Sequence, residues 1–476
     1  MHFMTNKITL WQSFVPLAIL ISLLAFNILE KKSEWFGTYS NQYILLASGF
    51  VALLIGFYLK VRSRKILAEV VENLKSVITP ILILTLVGAL AGSWLVSGII
   101  PAMVYYGLQI LSPDIFLPAC VVISAIISVA TGSSWTTTAT VGIALIAIGS
   151  AMGISVGMIA GAVISGAYFG DKMSPLSDTT NLAPAMAGTD LFTHIKYMSY
   201  TTIPSIVITL IFFSVLSFFI TPTGEASVNE LLIGIEERFY VSPVLFLVPG
   251  VVIGMILLKL KPLLALSSGV VLATIFAFVF QPNVLTSLGD SWVNVVLNFL
   301  IFKTSIITSI PELNELFVAK GMWGMHGTIF LILSAMVFGG IMDGIGALSK
   351  ITFHLLKMST SIFGLFASTV ASCLGLNAIA SDQYLAIVIP GKMFRKAYED
   401  RGLAPENLSR TLEDSGTVTS VLVPWNTCGA YQSQVLGVGV GEFFIYAVFN
   451  WLSPFVTLFF AYFRIKIKMI GNQSIK

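Results

Sequence analysis

Apolar runs of near-spanning length recur along the chain, at 11–29, 41–59, 77–97, 202–220, 241–258, 263–280 and 328–346, each bounded by a few charged or turn-forming residues. A bilayer core about 30 Å thick takes about 20 helical residues. The pattern therefore predicts an all-α polytopic membrane protein. Four polar interruptions break it: 131–138, 174–181, 379–384 and 424–429. The densest polar stretch lies within 166–184, which holds Asp171, Lys172 and Asp178 between apolar segments. Pro175 removes a backbone donor there, so the helix entering the stretch cannot continue cleanly. Broken backbone at membrane depth survives only where it lines a cavity or is buried in protein. The stretch therefore predicts a site for a small polar solute or ion. The arms flanking 131–138, residues 115–130 and 137–150, are short for full spans and predict a re-entrant hairpin with a polar tip. Asn294, Asn298 and Lys303 interrupt 291–310, which reads as an interfacial or partly inserted segment.

Composition agrees with the pattern. Hydrophobic residues make up 56% and charged residues 10%, against about a quarter charged in soluble domains. Mean hydropathy is +0.91. The net charge of +3 says less than where the charge sits. Lys60, Arg62, Arg64, Lys65 and Lys75 follow the second span, and positive charge concentrates on the cytoplasmic side. The N-terminus is therefore expected inside, the 30–40 turn outside, and the C-terminus with Arg464, Lys466 and Lys468 inside. Glu225, Glu230, Glu236 and Glu237 fall outside, and Lys259 and Lys261 form an inside turn. Cys120, Cys373 and Cys428 have neither metal-ligand spacing nor a disulfide framework. No cleavable signal peptide is evident. The four histidines are unpaired, and no phosphate-binding loop is present. These absences exclude a nucleotide-driven pump, and no enzyme activity or nucleic-acid partner is expected.

The second half resembles the first. Under an offset of 248, Gly92 meets Gly340, Gly98 meets Gly346 and Ser133 meets Ser381. One inserted residue then brings Pro175 to Pro424. The organisation expected is a two-span segment over 1–76, a first repeat over 77–222, connecting segments over 223–327, and a second repeat over 328–476. Lys392, Arg395, Lys396, Arg401 and Arg410 follow the second tip, whereas the equivalent 144–162 carries no charge. Equivalent loops on opposite faces are the sign of inverted repeats, which place substrate near the midplane where discontinuous helices meet.

That register sets Asp382 against Ser134 and Asp178 against Thr427, giving one carboxylate per half on opposite kinds of element. Ser133, Ser134, Thr136 and Thr137 are expected to face Asp178, Thr180 and Asn181. Asp382 and Ser381 are expected to face Asn426 and Thr427. Carboxylate, hydroxyl, amide and freed carbonyl oxygens suit a hard monovalent cation at Asp178 and Asp382. A carboxylate removed from water can exchange such a cation for a proton. Intramembrane acids are functional candidates, so Asp343, Asn377, Glu413 and Asp414 join the candidates. Asp171 could pair with Lys172 or cap a half-helix. Trp135 and Trp425 sit beside the interruptions, where an aromatic could cover the ion.

The motif Gly170-Asp-Lys-Met-Ser-Pro-Leu-Ser-Asp-Thr-Thr-Asn-Leu-Ala-Pro184, with Gly132-Ser-Ser-Trp-Thr-Thr137 before it, closely resembles the NhaC-type sodium/proton antiporter family. The resemblance implies a secondary transporter of the bacterial inner membrane. It also implies inverted repeats with two re-entrant hairpins, and a homodimer. The family includes malate/lactate exchangers coupled to sodium and protons. The resemblance therefore implies two functions: Na+/H+ exchange with Na+ at Asp178 and Asp382, or exchange of a small carboxylate with Lys172 or Arg410 compensating its charge. Neither needs a cofactor beyond the transported ions.

Overall fold

The computed structural model describes residues 8–31, 35, 37–110, 112–219, 228–258, 260–289 and 291–470. Lys32, Glu34, Glu225 and Lys259 lie outside the described residues.

The apolar runs fold as helices. Among the described residues nine are long and apolar enough to cross a membrane, or up to eleven if two bent pairs each count as one span. Large apolar side chains such as Phe50, Ile126 and Val271 point outward and are more than half exposed. This is the arrangement of a protein whose solvent is lipid.

The arms of the first hairpin are longer than the apolar runs that announced them, at 19 residues for Pro113–Thr131 and 18 for Ser134–Ala151. Two local effects extend them. Pro113, with its φ already helical, opens the first arm. In the second arm, hydroxyls bond back along the helix, Thr138 Oγ1 to the Ser134 carbonyl at 3.1 Å and Thr140 Oγ1 to the Thr136 carbonyl at 2.8 Å. The hydroxyl-rich sequence thus stays helical, although it widens into a π-turn over Thr138–Gly142.

The ambiguous segment resolves into the helix Trp292–Ile301 and a short antiparallel pair, Thr304–Ser305 with Val318–Ala319, in register Thr304↔Ala319. Strands of two residues leave no alternation to read in a sequence. Gly92 of Ile78–Val96 lies so close to the Phe299 carbonyl that a Cβ there would overlap it.

Backbone landmarks recur between the two halves. Gly98 and Gly346 both turn with positive φ, 78° and 81°, at the offset of 248 (346 − 98). Beyond them the spacing becomes 249. Ser112 and Ser361 each precede a hairpin arm. Gly132 (φ 69°) and Ser381 (φ 60°) occupy the tips, and Gly153 (φ 73°) and Gly402 (φ 68°) the next turns. Ser177 and Asn426 cap ten-residue half-helices that end at Gly188 and Gly437, both left-handed. The additional residue therefore enters between 346 and 361, ahead of the tip. The tip register shifts to Gly132 against Ser381 (381 − 132 = 249) and Ser133 against Asp382. Matching by chemical likeness had paired serine with serine. Backbone geometry instead pairs the two left-handed positions, one of them filled by a residue other than glycine.

Candidate functional site

Each polar interruption is a helix end with its freed backbone groups satisfied locally. At the first tip, Gly132 turns left-handed and Ser133 caps the next helix, its Oγ accepting from the Thr136 N–H at 3.1 Å. A Cβ on Gly132 would lie 2.6 Å from Leu176 Cβ, so the tip is seated on the first break. We expect Gly132→Ala to push the tip off the break and to cost most of the transport rate in a liposome flux assay. Unchanged flux would show that this contact has no part in function.

The carboxylate that meets this tip is Asp171, whose Oδ2 accepts from the Ser134 N–H at 3.0 Å and the Ser134 hydroxyl at 2.7 Å. Asp171 is on the last turn of Val156–Met173 and caps the facing half-helix, the second of the two roles open to it. A negative charge at a helix N-terminus is favourable. Asp178 sits beyond the break, on the first turn of Asp178–Ala187, with an exposed side chain. Thr180 and Asn181 do not reach the tip. Thr180 Oγ1 donates to the Lys172 carbonyl at 3.1 Å, and Asn181 Nδ2 to the Ser177 carbonyl at 2.7 Å and the Pro175 carbonyl at 3.0 Å. Thr180 Oγ1 also donates at 3.3 Å to the Asp171 carbonyl, the one whose helical donor Pro175 removes. Thr136 and Thr137 are buried, and the Thr137 hydroxyl donates to the Ser133 carbonyl at 2.9 Å.

Lys172 does not pair with Asp171. One residue along the helix it points to the opposite side, where it is fully buried in an ion pair with Asp414. Asp414 also accepts from the hydroxyls of Thr201, at 2.8 Å, and Thr457, while Ser453 Oγ lies 3.2 Å from Lys172 Nζ. The adjacent Glu413 accepts from Thr179 Oγ1 at 3.0 Å, and its other oxygen has no hydrogen-bond partner among the described residues. Both acids lie on a π-helical turn, Glu413–Thr417. Such turns are frequent at functional sites because they redirect side chains within a helix.

At the second tip Ser381 adopts the left-handed conformation, uncommon for a residue with a Cβ. Its carbonyl accepts from the Thr427 N–H at 3.0 Å, so tip and break touch here as at the first site. Asp382 caps Gln383–Glu399 through the Leu385 N–H at 3.0 Å. Asn426 caps Thr427–Leu436 and donates to the Asn377 carbonyl at 3.0 Å. Asn377 in turn donates to the Gly416 carbonyl at 2.7 Å and Thr419 Oγ1 at 3.0 Å, tying the tip helix to the π-helical turn. Trp425 Nε1 donates to the Ala378 carbonyl at 2.7 Å. Trp135 stacks on Tyr431 with centroids 4.0 Å apart. Asp343 lies apart from these groups, with Glu69, Lys65, Glu72 and Lys392 as its charged neighbours.

The sequence reading passed over Tyr384, two residues after Asp382. Asp171, Asp178 and Asp382 all lie within electrostatic reach of its hydroxyl. An aromatic residue inside a polar interruption was the available signal.

Broken helices within a many-span apolar protein, capped by side chains and carrying carboxylates and hydroxyls, fit a membrane transporter for a small cation. Residues 166–465 match the model of the Na+/H+ antiporter family, and the chain belongs to that family. It is 36% identical to the Na+/H+ antiporter NhaC of Alkalihalophilus pseudofirmus (strain OF4), over 88% of this chain and 89% of that protein. It is 34% identical to the Na+/H+ antiporter NhaC of Bacillus subtilis (strain 168), over 83% and 86%. It is also 35% identical to the malate-2H+/Na+-lactate antiporter of Bacillus subtilis (strain 168), over 87% and 86%.

Proposed function

We propose that the protein exchanges Na+ for H+ across the bacterial cytoplasmic membrane by alternating access. The observation that carries this reading is a carboxylate at each tip, Asp171 accepting from Ser134 at the first and Asp382 from the Leu385 N–H at the second, both beside helix breaks in a chain of the Na+/H+ antiporter family. Carboxylates released from a proton gain a cation ligand, and a cation leaving lets the proton return. One set of side chains then serves both ions, which is the minimal requirement for exchange. In this proposal the tip hydroxyls of Ser133, Ser134, Thr136 and Thr137 and the carbonyls freed at the breaks complete the coordination of Na+. Asn377, Ser381, Asn426 and Thr427 do so in the second half. The recurring landmarks from Gly98/Gly346 to Gly188/Gly437 support two repeats, 77–222 and 328–476. The contrast between a basic loop after the second tip and its uncharged equivalent, 144–162, supports inverted insertion with re-entrant tips. The basic residues after the second span and near the end of the chain support cytoplasmic termini. A homodimer rests on the family resemblance.

A second reading is exchange of a small carboxylate. One observation favours it: Arg410 is fully buried, and none of its three guanidinium nitrogens has a hydrogen-bond partner among the described residues. The two readings separate in liposomes holding the purified protein and a pH-sensitive dye. Under the first, sodium alone evokes proton movement, and Asp178→Asn abolishes it. A response that waits for malate or lactate overturns the first reading in favour of the second.

A further inference from the structure

The 27-residue helix Leu191–Ser217 is about 40 Å long at 1.5 Å per residue, longer than a hydrocarbon core of about 30 Å. Its apolar lipid-facing stripe begins at Ile203 and continues through Val207 and Ile211, each about half exposed. The turns before Ile203 carry Phe192, Lys196 and Tyr200 outward, the mixture of aromatic and basic side chains that favours the headgroup level. Beside them the end of the chain folds back and leaves a groove of about 420 Å³ lined by Thr193, Lys196, Tyr197, Tyr200, Lys466 and Lys468. Tyr462 and Phe463, both more than half exposed, mark the same level, where aromatic side chains favour the membrane interface.

The groove carries an excess of positive charge. Lys196 and Lys466 are exposed, and Lys466 Nζ lies 5.2 Å from the centre of the Tyr200 ring. Lys468 is paired with Glu406 at 2.6 Å. Behind the wall, the Arg410 guanidinium lies 4.6 Å from the centre of the Tyr197 ring. Two acids stand nearby. Glu406 is the one already paired. Asp190 caps the helix by accepting from the Thr193 N–H at 2.9 Å, and that bond with the Thr193 hydroxyl holds its carboxyl below the usual range. His194 is turned inward, with Nδ1 2.9 Å from Ser409 Oγ. Lys196, Lys466 and Arg410 thus have no acidic partner within ion-pair distance among the described residues.

We propose that this groove binds the headgroup phosphate of an anionic phospholipid, with the acyl chains lying along Ile203 and Val207. The depth of the groove argues for a lipid. Its two exposed lysines, with Arg410 behind Tyr197, supply the charge complement of a phosphate. The test measures saturable thermal stabilisation of the purified protein in detergent by phosphatidylglycerol, by phosphatidylethanolamine and by inorganic phosphate. Phosphatidylglycerol is expected to stabilise it, and the doubly substituted Lys196→Gln/Lys466→Gln protein to bind it about thirtyfold less tightly. Both residues are exposed, so the variant should melt at the unchanged temperature without lipid. Lys466→Arg serves as a second variant and should retain binding. Equal stabilisation by phosphatidylethanolamine, full stabilisation by inorganic phosphate alone, or an unaffected double variant would each overturn the proposal. None of these outcomes bears on sodium-evoked proton flux, so the exchange reading stands or falls separately.

Discussion

Asp382→Asn should abolish sodium-evoked proton flux in liposomes while leaving the melting temperature nearly unchanged. The side chain does two things that this substitution separates. It caps Gln383–Glu399 by accepting from the Leu385 N–H, and Asn caps a helix about as well as Asp does. It also supplies a carboxylate at the second tip that can exchange a proton for a cation, which Asn cannot. Asp382→Ala removes both, so it should lose flux and in addition about 1 kcal/mol of stability. The same logic applies to Asp171→Asn, which keeps an acceptor for the Ser134 N–H and hydroxyl but loses the charge. If Asp382→Asn exchanges sodium for protons at the normal rate, Asp382 is a helix cap only, and the exchange site lies elsewhere.

Asp414→Ala should be the most destabilising of the single changes, by about 3–5 kcal/mol, because it leaves the Lys172 ammonium buried without its counter-charge. The hydroxyls of Thr201, Ser453 and Thr457 offer only partial compensation. Replacing both partners, Lys172→Met with Asp414→Leu, removes the buried charges together. That double variant should melt well above Asp414→Ala, because an apolar pair of similar volume often equals a buried ion pair in stability. Thermal unfolding in detergent reads both effects. A double variant no more stable than Asp414→Ala would show that the cost lies in packing and hydroxyl contacts and not in the stranded charge.

Much of the local structure was legible in the residues. Pro175 ends one helix and Ser177 begins the next, and both follow from backbone chemistry within a few positions. The left-handed turn at Gly132 is of the same kind, as are the spans with their outward apolar faces. The extra length of the hairpin arms was harder to see. Hydroxyl residues read as a loop signal, yet here Thr138 and Thr140 bond back to their own helix and remain in it. At the tips the two left-handed residues, Gly132 and Ser381, lie 249 apart, one more than the spacing that matched Ser133 to Ser381 by chemical likeness.

The sequence by itself determined where the helices run, where they break, and that the breaks carry oxygen ligands, since these depend on neighbours a few residues away and on the thickness of a bilayer. Only the tertiary structure decided which carboxylate meets which tip. Asp171 and Lys172 are adjacent in the chain, but a helix turns about 100° per residue, so they diverge to Ser134 on one side and Asp414 on the other. Partners 37 and 242 positions away in the chain are chosen by how the helices pack. That packing sets Asp171 on the first tip and leaves the Arg410 guanidinium against an aromatic ring.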